Sequence, residues 1–151
     1  VTAAPSVIWE RAVIIGASGG IGSAVSDLLE AAGTEVVRLS RSAVSPSDRI
    51  DLTDEVSIAA AAERVEAGGP VNLVLVASGL LHGDGIEPEK SWRALAGDAL
   101  ARSFAVNAIG PALAAKHFLP LLPRHGRAAF ATLSARVGSI GDNRLGGWYG
   151  Y

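Results

Sequence analysis

A glycine-rich turn limits the folds open to this chain more than any other stretch. Residues 16–22 read Gly-Ala-Ser-Gly-Gly-Ile-Gly and follow the apolar run from Ala12 to Ile15. A helical pattern begins near Ile21. Such a loop lets the main chain approach a ligand closely, and the unpaired N–H groups and positive dipole end of the following helix face the same place. The turn therefore predicts a site for an anion, most simply a diphosphate.

The spacing of the glycines separates this turn from two common phosphate-binding patterns. Gly16, Gly20 and Gly22 are four and two residues apart. The fingerprint G-x-G-x-x-G needs spacings of two and three, and the phosphate loop that ends in Gly-Lys-Ser/Thr needs a lysine that is missing here. The turn is similar to the G-x-x-x-G-x-G turn of the short-chain dehydrogenase/reductase family. This resemblance implies that the cofactor contacts Gly16, Ser18, Gly19, Gly20, Ile21 and Gly22.

Strands alternate with helices along the chain. This rhythm predicts an α/β fold, a doubly wound parallel sheet of the Rossmann type, in which ligands bind outside the carboxyl ends of the strands. We expect residues 1–151 to form a single dinucleotide-binding domain whose sheet is cut short after its fifth strand. The predicted strands are 12–15, 35–39, a short one ending at Ile50 or Asp51, 71–77 and 127–133. The predicted helices are 21–32, one capped by Asp54 and running to about 67, 91–96 and 98–119.

Polar or small residues follow each predicted strand. The carboxyl ends of parallel strands meet at one edge of the sheet, so these residues are expected to line one site. Besides the glycine-rich turn, they are Ser40, Arg41, Asp51, Leu52, Ala77, Ser78, Gly79 and Ser134.

The residues after the second strand bear on the choice of cofactor. A dinucleotide site for NAD places an Asp or Glu there to hold the ribose 2′-OH, and here Ser40-Arg41 takes that place. A guanidinium suits a 2′-phosphate because it offers fixed donors and a permanent charge. The sequence therefore favours NADP (NADPH), with Arg38 as a competitor for the role and a solvated surface arginine as the plain alternative.

The family resemblance extends to Asp51-Leu52 and to Asn107. Asp51-Leu52 is similar to a short acidic motif whose carboxylate accepts a hydrogen bond from the adenine amine, although a turn aspartate is the alternative. Asn107 lies in an apolar helical pattern four residues before Pro111. Because proline has no N–H, the Asn107 carbonyl lacks its usual helical donor. The resemblance implies that this carbonyl holds a water in a proton relay, and a simple proline kink is the alternative.

The end of the chain carries the most specific likeness. Residues 133–151 resemble the branch of the family that holds C-factor-like proteins and sniffer-type carbonyl reductases. The resemblance implies a catalytic Ser, a Tyr and a Lys four residues after the Tyr, a position beyond Tyr151. Ser134 is the first choice for the serine and Ser139 the reserve, because Ala135 stands where many members carry the catalytic hydroxyl. Tyr151 is preferred over Tyr149.

The amino-acid composition limits the kinds of partner and ligand that we expect. The net charge is −2, so no basic excess favours nucleic acid, and cysteine is absent. No segment reaches about 18 uninterrupted apolar residues, which predicts no membrane span. We expect a soluble cytoplasmic protein with a small-molecule carbonyl or alcohol substrate. His82, His117 and His125 lack metal-ligand spacing, so no metal site is expected.

Two expectations concern the whole protein. An edge strand at 127–133 with nothing packed outside it predicts that the chain is part of a longer polypeptide, which an intact mass other than 15.4 kDa would reveal. A homo-oligomer is expected through the 98–119 helix and the helix after it. The resemblance implies an NADP-dependent oxidoreductase, and a non-catalytic NADP-binding or signalling protein of the same fold is the alternative.

Overall fold

The computed structural model describes residues 9–83, 85–144 and 146–151. Their centre is a parallel four-stranded sheet in the order β2-β1-β3-β4. The strands are β1 (Arg11–Ile15), β2 (Glu35–Leu39), β3 (Leu73–Val76) and β4 (Ala129–Thr132). From β1 the chain first adds β2 on one side and then β3 and β4 on the other. The loops after β1 and β3 therefore diverge and leave a crevice at the carboxyl edge of the sheet.

Helices cover both faces of this sheet. On one face α2 (Glu55–Ala67) packs against α4 (Gly110–Phe118), over a core that includes Val13, Val74 and Phe118. On the other face α1 (Gly20–Ala31) packs against β1 and β2. β1 is buried on both sides, which explains its continuous apolar sequence. The predicted doubly wound fold is confirmed.

The predicted short strand ending at Ile50 or Asp51 is wrong. That segment pairs with the sheet only through an isolated parallel bridge between Ser40 and Arg49, and Pro46–Asp48 forms a 3₁₀ turn. Pro46 has no N–H to donate to a ladder, and the turn leaves too few residues for a strand. Ile50 is buried in the core all the same, so its apolar character reflects packing rather than strand pairing.

Other element boundaries are close to the predicted ones. Asp54 caps α2, with its carboxylate accepting from the Val56 N–H at 2.9 Å. The helical pattern at 91–96 is only a 3₁₀ turn, Trp92–Ala94. The predicted fifth strand is β4, which lies at the edge of the sheet, with every residue half-buried or exposed.

The predicted 98–119 helix changes its winding in the middle. It comprises α3 (Gly97–Phe104), a π-helical segment (Ala105–Ile109) and α4. The Gly110 N–H bonds to the Ala105 carbonyl, five residues back. Pro111 follows directly, so the wider turn coincides with the proline that cannot supply an ordinary helical donor.

Candidate cofactor and active site

A cleft of about 660 Å³ opens at the carboxyl edge of the sheet. We call it the glycine-loop cleft. Most of the predicted cofactor residues line it, together with residues of α3 and the π-helical segment. The predicted residues in its wall are Gly16, Ser18, Gly19, Ser40, Arg41, Asp51, Leu52, Ala77, Ser78 and Gly79. Gly20, Ile21 and Gly22 are outside this lining and belong to the first turn of α1.

Two of the glycines are required by packing around the turn. Gly16 has a φ of +91°, and a Cβ there would lie 2.5 Å from the Ser78 hydroxyl oxygen. A Cβ on Gly22 would lie only 2.2 Å from the Gly16 carbonyl oxygen. The turn, the start of α1 and the loop after β3 therefore touch one another directly, and only glycine allows this approach.

Gly20 has a different environment. A Cβ there would meet no protein atom within 4 Å, and its φ is not positive. The N-cap of α1 is Gly19, which has no side chain that could accept a hydrogen bond from the first turn of the helix. The first-turn N–H groups of α1 therefore lack a side-chain acceptor at the cap, at an end of the helix that attracts negative charge. Protein packing does not explain the glycine at this position, whereas close approach of a phosphate would.

The structure separates the two arginines that the sequence left in competition. Arg38 bonds to Asp27 at 2.5 Å and to Glu30 at 2.8 and 3.0 Å, so both acids of α1 hold it. This pairing lowers the pKa of Glu30. Arg41 is exposed, lines the glycine-loop cleft and forms no ion pair with the described residues. Of these two guanidinium groups, only Arg41 faces the candidate ligand site.

Asp51 already has a partner inside the protein. Its carboxylate accepts from the Thr53 hydroxyl at 2.7 Å and from the Thr53 N–H at 2.9 Å. These two bonds, with a smaller effect from the charge of Arg41, lower the pKa of Asp51. Both recorded bonds go to Oδ1, so Oδ2 has acceptor capacity for a ligand in the cleft.

The side chain of Asn107 fixes the loop after β3 to the long helix. Its Oδ1 accepts from the Leu80 N–H at 2.7 Å, and its Nδ2 donates to the Leu80 carbonyl at 2.9 Å. The residue lies in the π-helical segment, so the loop after β3 is fixed to the middle of the long helix. The predicted role of its main-chain carbonyl in holding a water stays a prediction.

The candidate tyrosine is held next to this bridge. Nδ2 of Asn107 also donates to the Ser103 hydroxyl at 3.0 Å, and that hydroxyl donates to the carbonyl of Gly150. A Cβ on Gly79 would lie 3.6 Å from Asn107 Oδ1 and 4.0 Å from the Tyr151 ring. Tyr151 is partly exposed. The structure therefore brings Tyr151 and Asn107 together at the end of β3, beside the cleft.

The two candidate serines, both among the described residues, have no such close contact with Asn107 and Tyr151. Ser134 is exposed and follows Leu133, whose N–H donates to the Val76 carbonyl at 3.1 Å, so it lies at the carboxyl edge next to the end of β3. Ser139 caps the 3₁₀ turn Arg136–Gly138. Neither side chain has a recorded hydrogen bond to Tyr151 within the described part of the chain. The choice between them stays open.

Sequence reasoning missed three contributors. Thr53 holds Asp51, Ser103 supports the Gly150 carbonyl, and Ser42 donates to the Ser18 hydroxyl at 3.2 Å, which joins the loop after β2 to the glycine-rich turn. Ser103 precedes Asn107 by four residues and therefore shares its helix face, a signal that the sequence did contain.

Among the described residues, no group of three or more His, Asp or Glu side chains is arranged to hold a metal ion. None of the helices described is long and apolar enough to cross a membrane.

A doubly wound sheet with a glycine-rich turn at its switch point defines a dinucleotide-binding class of protein. Residues 10–146 match the family described as short chain dehydrogenase. The chain belongs to this family.

Individual relatives agree with this assignment. The chain is 28% identical over 148 residues to 1-hydroxy-2-glutathionyl-2-methyl-3-butene dehydrogenase of Rhodococcus sp. (strain AD45), covering 92% of this chain and 62% of that protein. Among solved structures, it resembles the NADPH-bound carbonyl reductase from chicken fatty liver, with 22% identity, a TM-score of 0.72, and 90% and 61% of the two chains covered.

A second solved structure is a short-chain dehydrogenase/reductase from Burkholderia multivorans with bound NADP. It has 23% identity and a TM-score of 0.77, and the match covers 95% of this chain and 66% of that one. At these identities the solved structures show the fold alone. The chain spans about half to two thirds of the length of the relatives that it matches.

Proposed function

We propose that this chain binds NADP(H) and serves an oxidoreductase that transfers a hydride between the nicotinamide and a small carbonyl or alcohol substrate. The observation that carries the proposal is the glycine-loop cleft, in whose wall Gly19, the N-cap of α1, and Arg41 lie together. The helix end suits the diphosphate, and Arg41 suits the 2′-phosphate.

The choice of NADP over NAD rests on the end of β2. No carboxylate follows that strand, and Arg38 is already held by Asp27 and Glu30. The likeness to structures named for bound NADP or NADPH agrees with this choice. Asp51, with Oδ2 available, would accept from the adenine amine.

The reaction would use the residues beside the cleft. The cofactor, when bound, supplies or accepts the hydride. The Tyr151 hydroxyl donates a proton to the substrate oxygen, and the Ser134 hydroxyl positions and polarises the carbonyl. The bridge from Asn107 to Leu80 holds the loop after β3 in place. The relative from Rhodococcus is named as a dehydrogenase of a hydroxy compound, which is in keeping with alcohol–carbonyl chemistry.

We also propose a branch of the family and an oligomeric state for this protein. The pattern of residues 133–151 supports the C-factor-like and sniffer-type carbonyl reductase branch. Exposed apolar side chains along the long helix, Phe104, Ile109 and Leu119, support a homo-oligomer through that helix. The cytoplasmic location stays a prediction from composition.

The second candidate function is an NADP-binding protein without catalysis. Ala135, in place of a second hydroxyl residue after Ser134, is the observation that favours it. Turnover distinguishes the two functions, since both require the cofactor. A carbonyl substrate reduced at the expense of NADPH supports the oxidoreductase, whereas tight NADPH binding with no turnover of a broad carbonyl panel supports the alternative.

The first experiment is a fluorescence titration of the unmutated protein with NADPH and with NADH. We expect NADPH to bind at least about tenfold more tightly, because one charged hydrogen bond contributes roughly 1.5 to 3 kcal/mol. Equal affinities would contradict the NADP assignment, and binding of neither cofactor would contradict the proposed function as a whole.

A further inference from the structure

A second pocket, of about 440 Å³, lies between the loop after β4 and the segment around Lys90. We call it the basic pocket. Its wall includes Lys90, Arg136, Asp142, Arg144 and Trp148. Lys90 lies in the connection that follows β3, and the others lie in the loop that follows β4. Because β3 and β4 are parallel neighbours, both connections leave the carboxyl edge at which the glycine-loop cleft opens.

The charges in this pocket are unbalanced. Three cationic side chains, Lys90, Arg136 and Arg144, share the wall with one carboxylate, Asp142. No ion pair involving any of the three cations is recorded within residues 9–83, 85–144 and 146–151. A concave site lined mainly by one sign of charge raises the local concentration of the opposite ion. The planar guanidinium groups of Arg136 and Arg144 match a carboxylate in particular, since each can donate two parallel N–H bonds to it.

The loop that forms the pocket is held in a defined conformation. The Trp148 N–H donates to the Glu89 carbonyl at 2.6 Å, next to Lys90. A Cβ on Gly147 would lie 2.6 Å from the same oxygen, so the two segments touch along their main chains. The Gly146 N–H donates to Asn143 Oδ1 at 3.0 Å. These main-chain contacts hold Trp148 in the wall of the pocket, which it shares with the three cations.

Trp148 also has an unusual main chain. Its φ is +55°, the one positive value among the described non-glycine residues. A bulky residue in the left-handed region costs of order 1 to 3 kcal/mol, and such residues cluster at ligand sites. Trp148 is three residues before Tyr151, and Arg136 is two residues after Ser134. The same loop therefore carries both the candidate catalytic side chains and the pocket.

We propose that the basic pocket binds the carboxylate of an anionic carbonyl substrate, with the indole of Trp148 against its apolar body. This inference rests on the proposed function, because it names the substrate class for the same site. The cations hold the end of the substrate remote from the reacting carbonyl. A neutral carbonyl compound of the same shape would lose this interaction.

The test compares 4-formylbenzoate, which is an anion, with its neutral methyl ester in isothermal titration calorimetry. We expect the anion to bind about tenfold or more tightly than the ester, and the difference to shrink as salt is raised. In the double variant Arg136→Gln/Arg144→Gln the preference should disappear. The matched control is Arg124→Gln/Arg127→Gln, which removes the same charge in the segment before β4, at the opposite edge of the sheet.

Each possible result of this comparison supports or contradicts the proposed carboxylate pocket. Equal binding of anion and ester by the unmutated protein would overturn the inference, as would equal losses in the two double variants, which would indicate non-specific attraction. If the first double variant is poorly folded by thermal denaturation, the single variants Arg136→Gln and Arg144→Gln replace it, with a reduced preference in either one supporting the pocket and full retention in both overturning it. NADPH titration of the same samples separates the two ideas. NADPH binding without anion preference removes only the pocket, whereas failure of NADPH to bind removes the proposed function.

Discussion

The Ser103 hydroxyl donates a hydrogen bond of 2.5 Å to the carbonyl oxygen of Gly150, a residue 47 positions away in the chain. Ser103 and Gly150 are both buried. The same hydroxyl accepts from Asn107 Nδ2 at 3.0 Å. One small side chain thus connects the long helix with the peptide that precedes the candidate tyrosine.

Replacing this serine tests the connection. Ser103→Ala removes the hydroxyl between the Asn107 amide and the buried Gly150 carbonyl, which keeps only the longer bond of 3.4 Å from Asn107 Nδ2, so we expect the free energy of unfolding to fall by about 0.5 to 1.5 kcal/mol. Urea denaturation measures it. The control is Ser42→Ala, since Ser42 is exposed and its one side-chain bond to the described residues goes to another exposed hydroxyl, that of Ser18, at 3.2 Å. Equal, small losses in both variants would show that the Ser103 bond contributes little.

A pair of glycine variants separates packing from ligand approach. Gly22→Ala puts a Cβ 2.2 Å from the Gly16 carbonyl and should destabilise the fold, with a lower midpoint of thermal unfolding. Gly20→Ala meets no protein atom within 4 Å, so its unfolding midpoint should be unchanged or slightly higher. NADPH affinity should nevertheless fall in Gly20→Ala. Unaltered NADPH affinity in that variant would remove Gly20 from the cofactor site.

Arginine variants test the 2′-phosphate assignment. Arg41→Ala should weaken NADPH by roughly 1.5 to 3 kcal/mol, about 10- to 150-fold, and leave NADH nearly unchanged, because only NADPH carries the 2′-phosphate. Arg38→Ala is the matched control, since its guanidinium is held by Asp27 and Glu30. Fluorescence titrations with both cofactors give the four affinities. A selective loss of NADPH in Arg38→Ala instead would reverse the assignment.

The Asp51–Thr53 contact predicts a pH dependence. Two bonds from Thr53 lower the pKa of Asp51 in the folded chain, so their stabilisation is present above the unfolded pKa, near 3.9, and is lost as pH falls through the folded value. Thr53→Val removes the hydroxyl bond and should raise this pKa. The variant should be less stable at pH 7, and the difference should shrink below about pH 4.

Urea denaturation between pH 7 and pH 3 checks this dependence. Thr53→Ser keeps the hydroxyl and should behave like the unmutated protein. A stability difference between Thr53→Val and the unmutated chain that does not vary with pH would mean that the exchange of the hydroxyl for a methyl group, rather than the Asp51 charge, is responsible.

The sequence predicted best where one local rule was sufficient. β1 was recognisable because it is a compact apolar run that ends at the glycine-rich turn, and the start of α2 because Asp54 is a strong cap. The glycine-rich turn predicted the edge of the sheet at which the cleft opens. Residues after each strand could be grouped because parallel topology brings their ends together.

The sequence failed where the answer depended on distant contacts. Ile50 is apolar because it fills the core, and a buried loop residue looks the same as a strand residue in the sequence. Arg38 and Arg41 could not be separated, since the choice depends on Asp27 and Glu30 of α1. The link from Ser103 to Gly150 joins residues far apart in the chain, so no periodicity reveals it.

The π-helical segment has a consequence for the two ends of the long helix. Each residue of an α-helix turns the chain by about 100°, and a π-helical turn contains one more residue than an α-helical one of the same height. If all five residues Ala105–Ile109 were wound as regular α-helix, the extra residue would rotate α3 by about 100° relative to α4. Ala101 and Arg102 would then turn away from the glycine-loop cleft while Ala114 and Phe118 stayed in the core. The wider turn therefore absorbs one residue and keeps the two halves of the helix in phase, so that one continuous helix lines a ligand site at one end and packs into the protein interior at the other.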